Sequence, residues 1–368
     1  MKQRKLLLIL VLLCAVVQGA WAQSSWDEVY AITQTNSANW TQLTEGSTTG
    51  KTLGTAGSTT YYYADANLSF TNSNAGGSGL TILGTVYLYV PDGVTVTCTG
   101  AHANGQMGGG AGIELTEGNT LYLLGSGTLN ATGGNAADGG NGGNGTDASC
   151  DFNSMEWAWV GGNGHGGNGG GGAGAGIGTR GGTGGAGGNA PEPEIYYTTW
   201  TENGVAGSAG SAGQTAGAKG ELHVSKDITI NATGGSQGSA GTAGSAGKSC
   251  MRYGTREYSI PGGGGGGAGG FGGAANNIGP GGPGGGGGGG GAKGSHDRTS
   301  TGFYIIYANG GGGGQNGDGS YAASGGTAGV STANINNGTC DTNDLSWVQA
   351  EERGKESSDV NTTTTSVH

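Results

Sequence analysis

The sequence predicts a mainly β protein with almost no helix: a short parallel β-helix-like solenoid with long glycine-rich insertions that form a polyglycine-II-like bundle. Three observations predict it. An eleven-residue turn-plus-strand unit recurs without gaps. Glycine returns at every third position over four or five triplets at a time. The composition leaves little else: 92 of 368 residues are glycine, against roughly 7% in average proteins, while charged residues supply 11% and aromatics 7%. These counts exclude both a solvated charged coil and a conventional large apolar core. Collagen is excluded too, because six prolines fall far short of the Pro/Hyp share of roughly 15–20% that a triple helix needs.

Residues 1–22 read as a signal peptide for secretion. Lys2, Arg4 and Lys5 form its positive start, Leu6 to Val17 its apolar core, and Ala20-Trp21-Ala22 an A-x-A cleavage site before Gln23. Its apolar run of twelve residues is short of the roughly 20 that a spanning helix needs, so no transmembrane segment is expected after its removal. Residues 23–89 form an N-terminal β region or cap, with strand candidates at Tyr61–Tyr63, Leu68–Phe70 and Leu80–Leu83. The solenoid repeats occupy 90–132 and resume at 221–234. Val90–Gly100, Leu115–Gly125 and Val224–Gly234 align, each with an apolar residue, a polar turn, an alternating strand and a closing glycine. Val96, Leu121 and Ile230 share one position, and Cys98, Leu123 and Ala232 the position two further on. Alternate residues of a strand point the same way, so these six are expected on one core face. Units that cannot bury a face alone must stack.

Two glycine-rich insertions, 133–220 and 235–330, separate or follow these repeats. Their triplet phase runs through Gly139, Gly142 and Gly145, through Gly178, Gly181, Gly184 and Gly187, and through Gly235, Gly238, Gly241 and Gly244, before the polyglycine runs from Gly262 and Gly284. A period of three matches the extended left-handed polyproline-II helix, and glycine on one edge of each turn lets backbones approach until N–H meets carbonyl. The competing reading is a flexible linker, since ordering glycine is entropically expensive. The kept phase and the regular interruptions oppose it. A late strand is expected near 302–308, and 331–368 reads as a polar, disordered tail.

The interruptions carry the aromatic side chains. Trp157, Trp159, Tyr196, Trp200 and Tyr253 are the candidate ligand-binding residues, because sugars present apolar ring faces that pack on exposed aromatics. Cys150 and Cys250 each open an interruption after a glycine tract and are the candidate disulfide, while the even count of Cys98, Cys150, Cys250 and Cys340 leaves three pairings open. No catalytic constellation, metal site or cofactor is expected: the five histidines are widely separated, and Asp92, Glu117 and Asp227 near equivalent turns read as a solvated edge. Removing the leader's three cations leaves 11 basic residues against 25 acidic ones, a charge of −14, which argues against nucleic acid and anionic membranes as partners.

Two resemblances follow from these residues. The stretch Gly76 to Gly134, with Ala111-Gly-Ile-Glu-Leu-Thr-Glu-Gly118 and Gly127-Thr-Leu-Asn-Ala-Thr-Gly-Gly134, resembles exported glycine-rich β-helix-type proteins of Bacteroidales bacteria, often described as carbohydrate-binding. The triplet tracts resemble polyglycine-II domains, such as those of snow-flea antifreeze proteins, phage tail-fibre tip adhesins and the anaplastic lymphoma kinase family. The first resemblance implies an extracellular glycan partner; the second implies an architecture and transfers no activity. The expectation is an exported, non-enzymatic adhesion or binding protein of the cell surface or extracellular space, with glycans or other surface molecules as partners. The alternatives are a β-helix polysaccharide lyase or hydrolase, and an ice- or surface-binding structural protein.

Overall fold

In the computed structural model the described residues are 40–146, 164–190, 208–225, 227–245, 265–291 and Asn316, with the backbone of short strands outside these spans. Every regular element among them is a strand, and no helix is long and apolar enough to cross a membrane. The chain runs β1 (Trp40–Leu43), β2 (Lys51–Ala64), β3 (Leu68–Thr71), β4 (Leu80–Val90), β5 (Thr95–Thr99), β6 (Ile113–Glu114), β7 (Thr120–Gly125) and β8 (Thr128–Thr132). Shorter strands at Ile177–Gly178, Glu221–Val224, Thr229–Thr233 and Ile278–Gly279 follow.

Two parallel sheets result. The first orders β1, β2, β4 and β7 beside Glu221–Val224, and the start of β4 continues through β6, Ile177–Gly178 and Ile278–Gly279. The second orders β3, β5, β8 and Thr229–Thr233. From β2 to β5 successive strands alternate between the two sheets, and β7 and β8, like Glu221–Val224 and Thr229–Thr233, again lie one on the first sheet and one on the second. The Trp40–Ala64 part of the N-terminal region shares the first sheet with the later repeats.

The alternation in β4, whose eleven residues read buried and half-buried by turns, aims Leu80, Ile82, Val86, Leu88 and Val90 between the sheets. In-register pairing stacks them in columns: Leu80 with Ile113, Ile177 and Ile278; Leu88 with Leu123 and Val224. From the second sheet come Leu68, Val96, Leu129 and Ile230, and beside them Phe70, Cys98, Ala131 and Ala232. The columns are buried in the middle and open at the last pass, where Val224 and Ile278 are exposed.

These columns correct the eleven-residue alignment. Val96 and Ile230 do share a column, as do Cys98 and Ala232, but Leu121 and Leu123 lie on the first sheet, paired with Val86 and Leu88. The match for β5 is β8, with Leu129 and Ala131 in the core positions. Strands of two different sheets share the same alternation and turn chemistry, and this likeness is what the eleven-residue alignment reflects. Cys98 is free and fully buried, which removes it from the disulfide pairings; burial pushes its thiol pKa far up.

The glycine segments follow a different rule. Along 136–145, the N–H groups of Ala136, Gly139, Gly142 and Gly145 donate to the carbonyls of Ser236, Ser239, Thr242 and Ser245. One residue on, Ala137, Gly140 and Gly143 donate to Gly171, Asn168 and His165. Every third residue thus points at the same neighbour, which is why the glycine phase is three. Segment 164–175 is bonded in this way to 137–143, 182–188, 267–273 and 282–291, and it is buried over most of its length with almost no side chains. The third position of each triplet carries the polar residue: Asn135, Asp138, Asn141 and Asn144 accept from the N–H groups of Ser236, Ser239, Thr242 and Ser245 at 2.6–3.1 Å.

A sequence repeat underlies this register. Thr128-Leu-Asn-Ala-Thr-Gly-Gly134 matches Thr229-Ile-Asn-Ala-Thr-Gly-Gly235, 101 residues on, and Ile177-Gly178 matches Ile278-Gly279 at the same offset. The matched residues are spatial partners, as in Asn130 with Asn231 and Ile177 with Ile278.

Candidate functional site

The outer face of the first sheet gathers Trp40, Tyr61, Tyr63, Tyr87, Tyr89 and Tyr122, whereas Phe70 lies in the core and Tyr62 packs against it. Parallel in-register pairing sets Trp40, Tyr61, Tyr87, Tyr122 and His223 side by side on five strands. Their rings stack: centroids lie 5.3 Å apart for Trp40 and Tyr61, 4.9 Å for Tyr61 and Tyr87, 4.4 Å for Tyr87 and Tyr122, and 4.5 Å for Tyr122 and His223. The last three pairs are within 22° of parallel. The spacing follows from the strand separation of about 4.7–4.9 Å, which is close to ring-stacking distance.

Two further columns flank the rings. Thr59, Thr85, Thr120 and Glu221 lie on one side, and Gln42, Tyr63, Tyr89 and Leu124 on the other. Glu221 ends its column with a carboxylate 3.5 Å from His223 Nε2, and Gln42 donates to the Asp65 carboxylate. The face requires one local irregularity. Between Gly54 and Thr59 the register of β2 shifts, and the extra chain folds over Gly84, whose φ of 71° favours glycine. A Cβ at Gly84 would sit 2.4 Å from the Thr55 carbonyl oxygen. The Gly84 N–H donates instead to Asn119 Oδ1 at 2.7 Å.

Because the rings face one another, the column presents ring edges and phenol hydroxyls to solvent, with threonine hydroxyls alongside. Burial, then the neighbouring Tyr122 and Tyr61, push the Tyr87 phenol pKa above its ordinary 10.0. A raised folded-state pKa favours the neutral phenol, so its stabilisation is complete below about pH 10 and is lost as pH rises through the folded value. Melting temperature is expected to fall above about pH 10, less steeply in Tyr87→Phe; equal slopes in the two proteins would remove Tyr87 as a cause.

The residues singled out from the sequence are not those of the column. Trp157, Trp200 and Tyr253 are outside the described residues. Trp159 and Tyr196 are described by backbone alone, on the adjacent antiparallel strands Ala158–Trp159 and Ile195–Tyr196, with Ser149–Cys150 on the other edge. The strand Cys250–Arg252 pairs with Tyr258–Ile260, and the Cys150–Cys250 disulfide lies outside the described side chains. The sequence signal for the aromatic column was present in Tyr61-Tyr-Tyr63, Tyr87-Leu-Tyr89, Leu121-Tyr-Leu123 and Leu222-His-Val224, but it emerges only when the strands are put in register. Among the described residues no group of three His, Cys, Asp or Glu side chains could hold a metal ion. Comparison with known proteins finds no matching family model, curated protein or solved structure.

Proposed function

We propose that the two sheets are coils of a short parallel β-solenoid, that the glycine segments are a polyglycine-II bundle built on it, and that the protein is an exported, non-enzymatic binding protein for extracellular glycans. The observation that carries the function is the solvent-facing column Trp40–Tyr61–Tyr87–Tyr122–His223 between its threonine and tyrosine columns. Stacked rings are held rigid in advance, so a ligand that meets them orders few side chains, and aromatic side chains with hydroxyls supply both apolar area and hydrogen bonds. A glycan offers the complement, C–H faces rimmed by hydroxyls. The leader and the acidic charge favour an extracellular place over a nucleic acid partner.

Cross-strand stacking also stabilises a sheet by itself, at roughly 0.2–1 kcal/mol per pair. The test separates the two roles. Affinity electrophoresis of the mature protein through neutral polysaccharides should show retardation that Tyr87→Ala weakens about tenfold, or 1.4 kcal/mol, while the fold survives. Full retardation in the variant, or none in the wild type, would leave the column as a sheet stabiliser only.

The outer face of the second sheet favours a second reading. Thr95, Thr128 and Thr229 form one column, Thr71, Thr99, Thr132 and Thr233 another, with Ser69, Thr97, Asn130 and Asn231 between them. Rows about 4.8 Å apart and columns about 6.6 Å apart make a flat, uncharged array of hydroxyls and methyls, suited to an ordered surface such as ice. Thermal hysteresis in the mature protein would favour that reading over glycan binding, and its absence would dispose of it.

A further inference from the structure

One polar cavity stands apart from the aromatic column. It measures about 220 Å³ and is lined by Thr49, Gly50, Lys51, Thr52, Asn72, Ser78, Thr81 and Arg180. Lys51, Arg180 and Lys219 are the cations among the described residues, and two of the three line this cavity in a chain whose formal charge is −11. Arg180 is paired with Glu114 at 2.8 Å, and Glu114 also accepts from Thr81 Oγ1 at 3.2 Å. Lys51 has no ion pair among the described residues and its ammonium lies 6.0 Å from the centre of the Phe70 ring, so the cavity's lining carries one positive charge without a paired carboxylate.

Its hydrogen-bonding balance points the same way. Asn72 Nδ2 donates to the carbonyls of Thr49 and Ser78, both at 3.0 Å, and Asn72 Oδ1 accepts from the Asn74 N–H. The Thr49 and Ser78 carbonyls and Asn72 Oδ1 are thereby occupied, while Lys51 and the rest of the Arg180 guanidinium can still donate. An ammonium and a guanidinium are the partners a carboxylate requires. The volume is below the roughly 300–1,000 Å³ of pockets that enclose drug-sized ligands, so it fits one small acidic group rather than an oligomer.

We propose that this cavity receives the carboxylate of a uronic acid, which makes the glycan partner an acidic one. This rests on the glycan reading above. Thr52, Thr81 and Glu114 are in register on the face that carries the rings, and Thr81 precedes Tyr87 by six residues of β4, about 20 Å of strand. A chain lying along β4 would reach both.

The test uses the mature protein, with galacturonate, acetate, polygalacturonate and the carboxyl-reduced form of that polymer as probes. Polygalacturonate is expected to bind about tenfold more tightly than its reduced form, and Lys51→Gln or 0.5 M salt should erase that preference. Tyr87→Ala should weaken both polymers. Galacturonate alone should shift the Lys51, Thr52 and Arg180 amide resonances in wild type and not in Lys51→Gln. No shift with galacturonate would overturn the site whatever the polymers do, and a preference for the acidic polymer that survives in Lys51→Gln would do the same. Acetate binding as tightly as galacturonate would overturn the sugar assignment. Galacturonate binding without either polymer would support the cavity and overturn the aromatic face as a glycan platform.

Discussion

Gly169→Ala is expected to destabilise the protein by more than about 3 kcal/mol, whereas Gly217→Ala should leave it unchanged or slightly more stable. A Cβ at Gly169 would lie 1.9 Å from the Gly285 carbonyl oxygen and 2.5 Å from its carbon. Both are backbone atoms, so no side chain can swing away; the 282–291 segment must move, and with it bonds such as Gly285 N–H to Gly170 O at 2.8 Å. Gly217 has nothing within 4 Å of its Cβ position, and there alanine only restricts the unfolded chain. Urea midpoints of the two variants check the contrast. If both behaved like wild type, the glycine segments would be spacers.

Leu123→Ala should cost about 2–5 kcal/mol. Leu123 is fully buried, paired with Leu88 on one side and Val224 on the other, and its neighbours are held by their own sheet bonds and cannot collapse into the space. Chemical denaturation followed by tyrosine fluorescence measures it. A loss below about 1 kcal/mol would mean that the columns do not form one packed core.

The sequence made the strands and the glycine phase legible, because alternation and period three are local signals. Leu80–Leu83 and Leu68–Phe70 fall within β4 and β3, and the triplets of 139–145 bond every third residue. Registration was not legible. Leu121 and Val96 sit in turn-and-strand contexts that look alike, and only the pairing of Leu121 with Val86 separates the two sheets. The aromatic column was missed for the same reason: Tyr61, Tyr87, Tyr122 and His223 are 26, 35 and 101 residues apart in turn, and nothing local connects them. The 101-residue duplication was within reach of self-comparison, but glycine's abundance masks it outside the T-x-N-A-T-G-G motif. The Lys51 and Arg180 cavity joins residues 129 positions apart.

Backbone amide hydrogen exchange over 136–145, 164–190 and 265–291 tests the central claim, that hydrogen-bonded glycine backbone forms the core of this part of the molecule. Strong protection is expected, above all at Gly167, Gly170 and Gly185, whose N–H groups donate at 2.8–2.9 Å within the buried segments. Exchange at random-coil rates there, with β4 and β7 still protected, would contradict it.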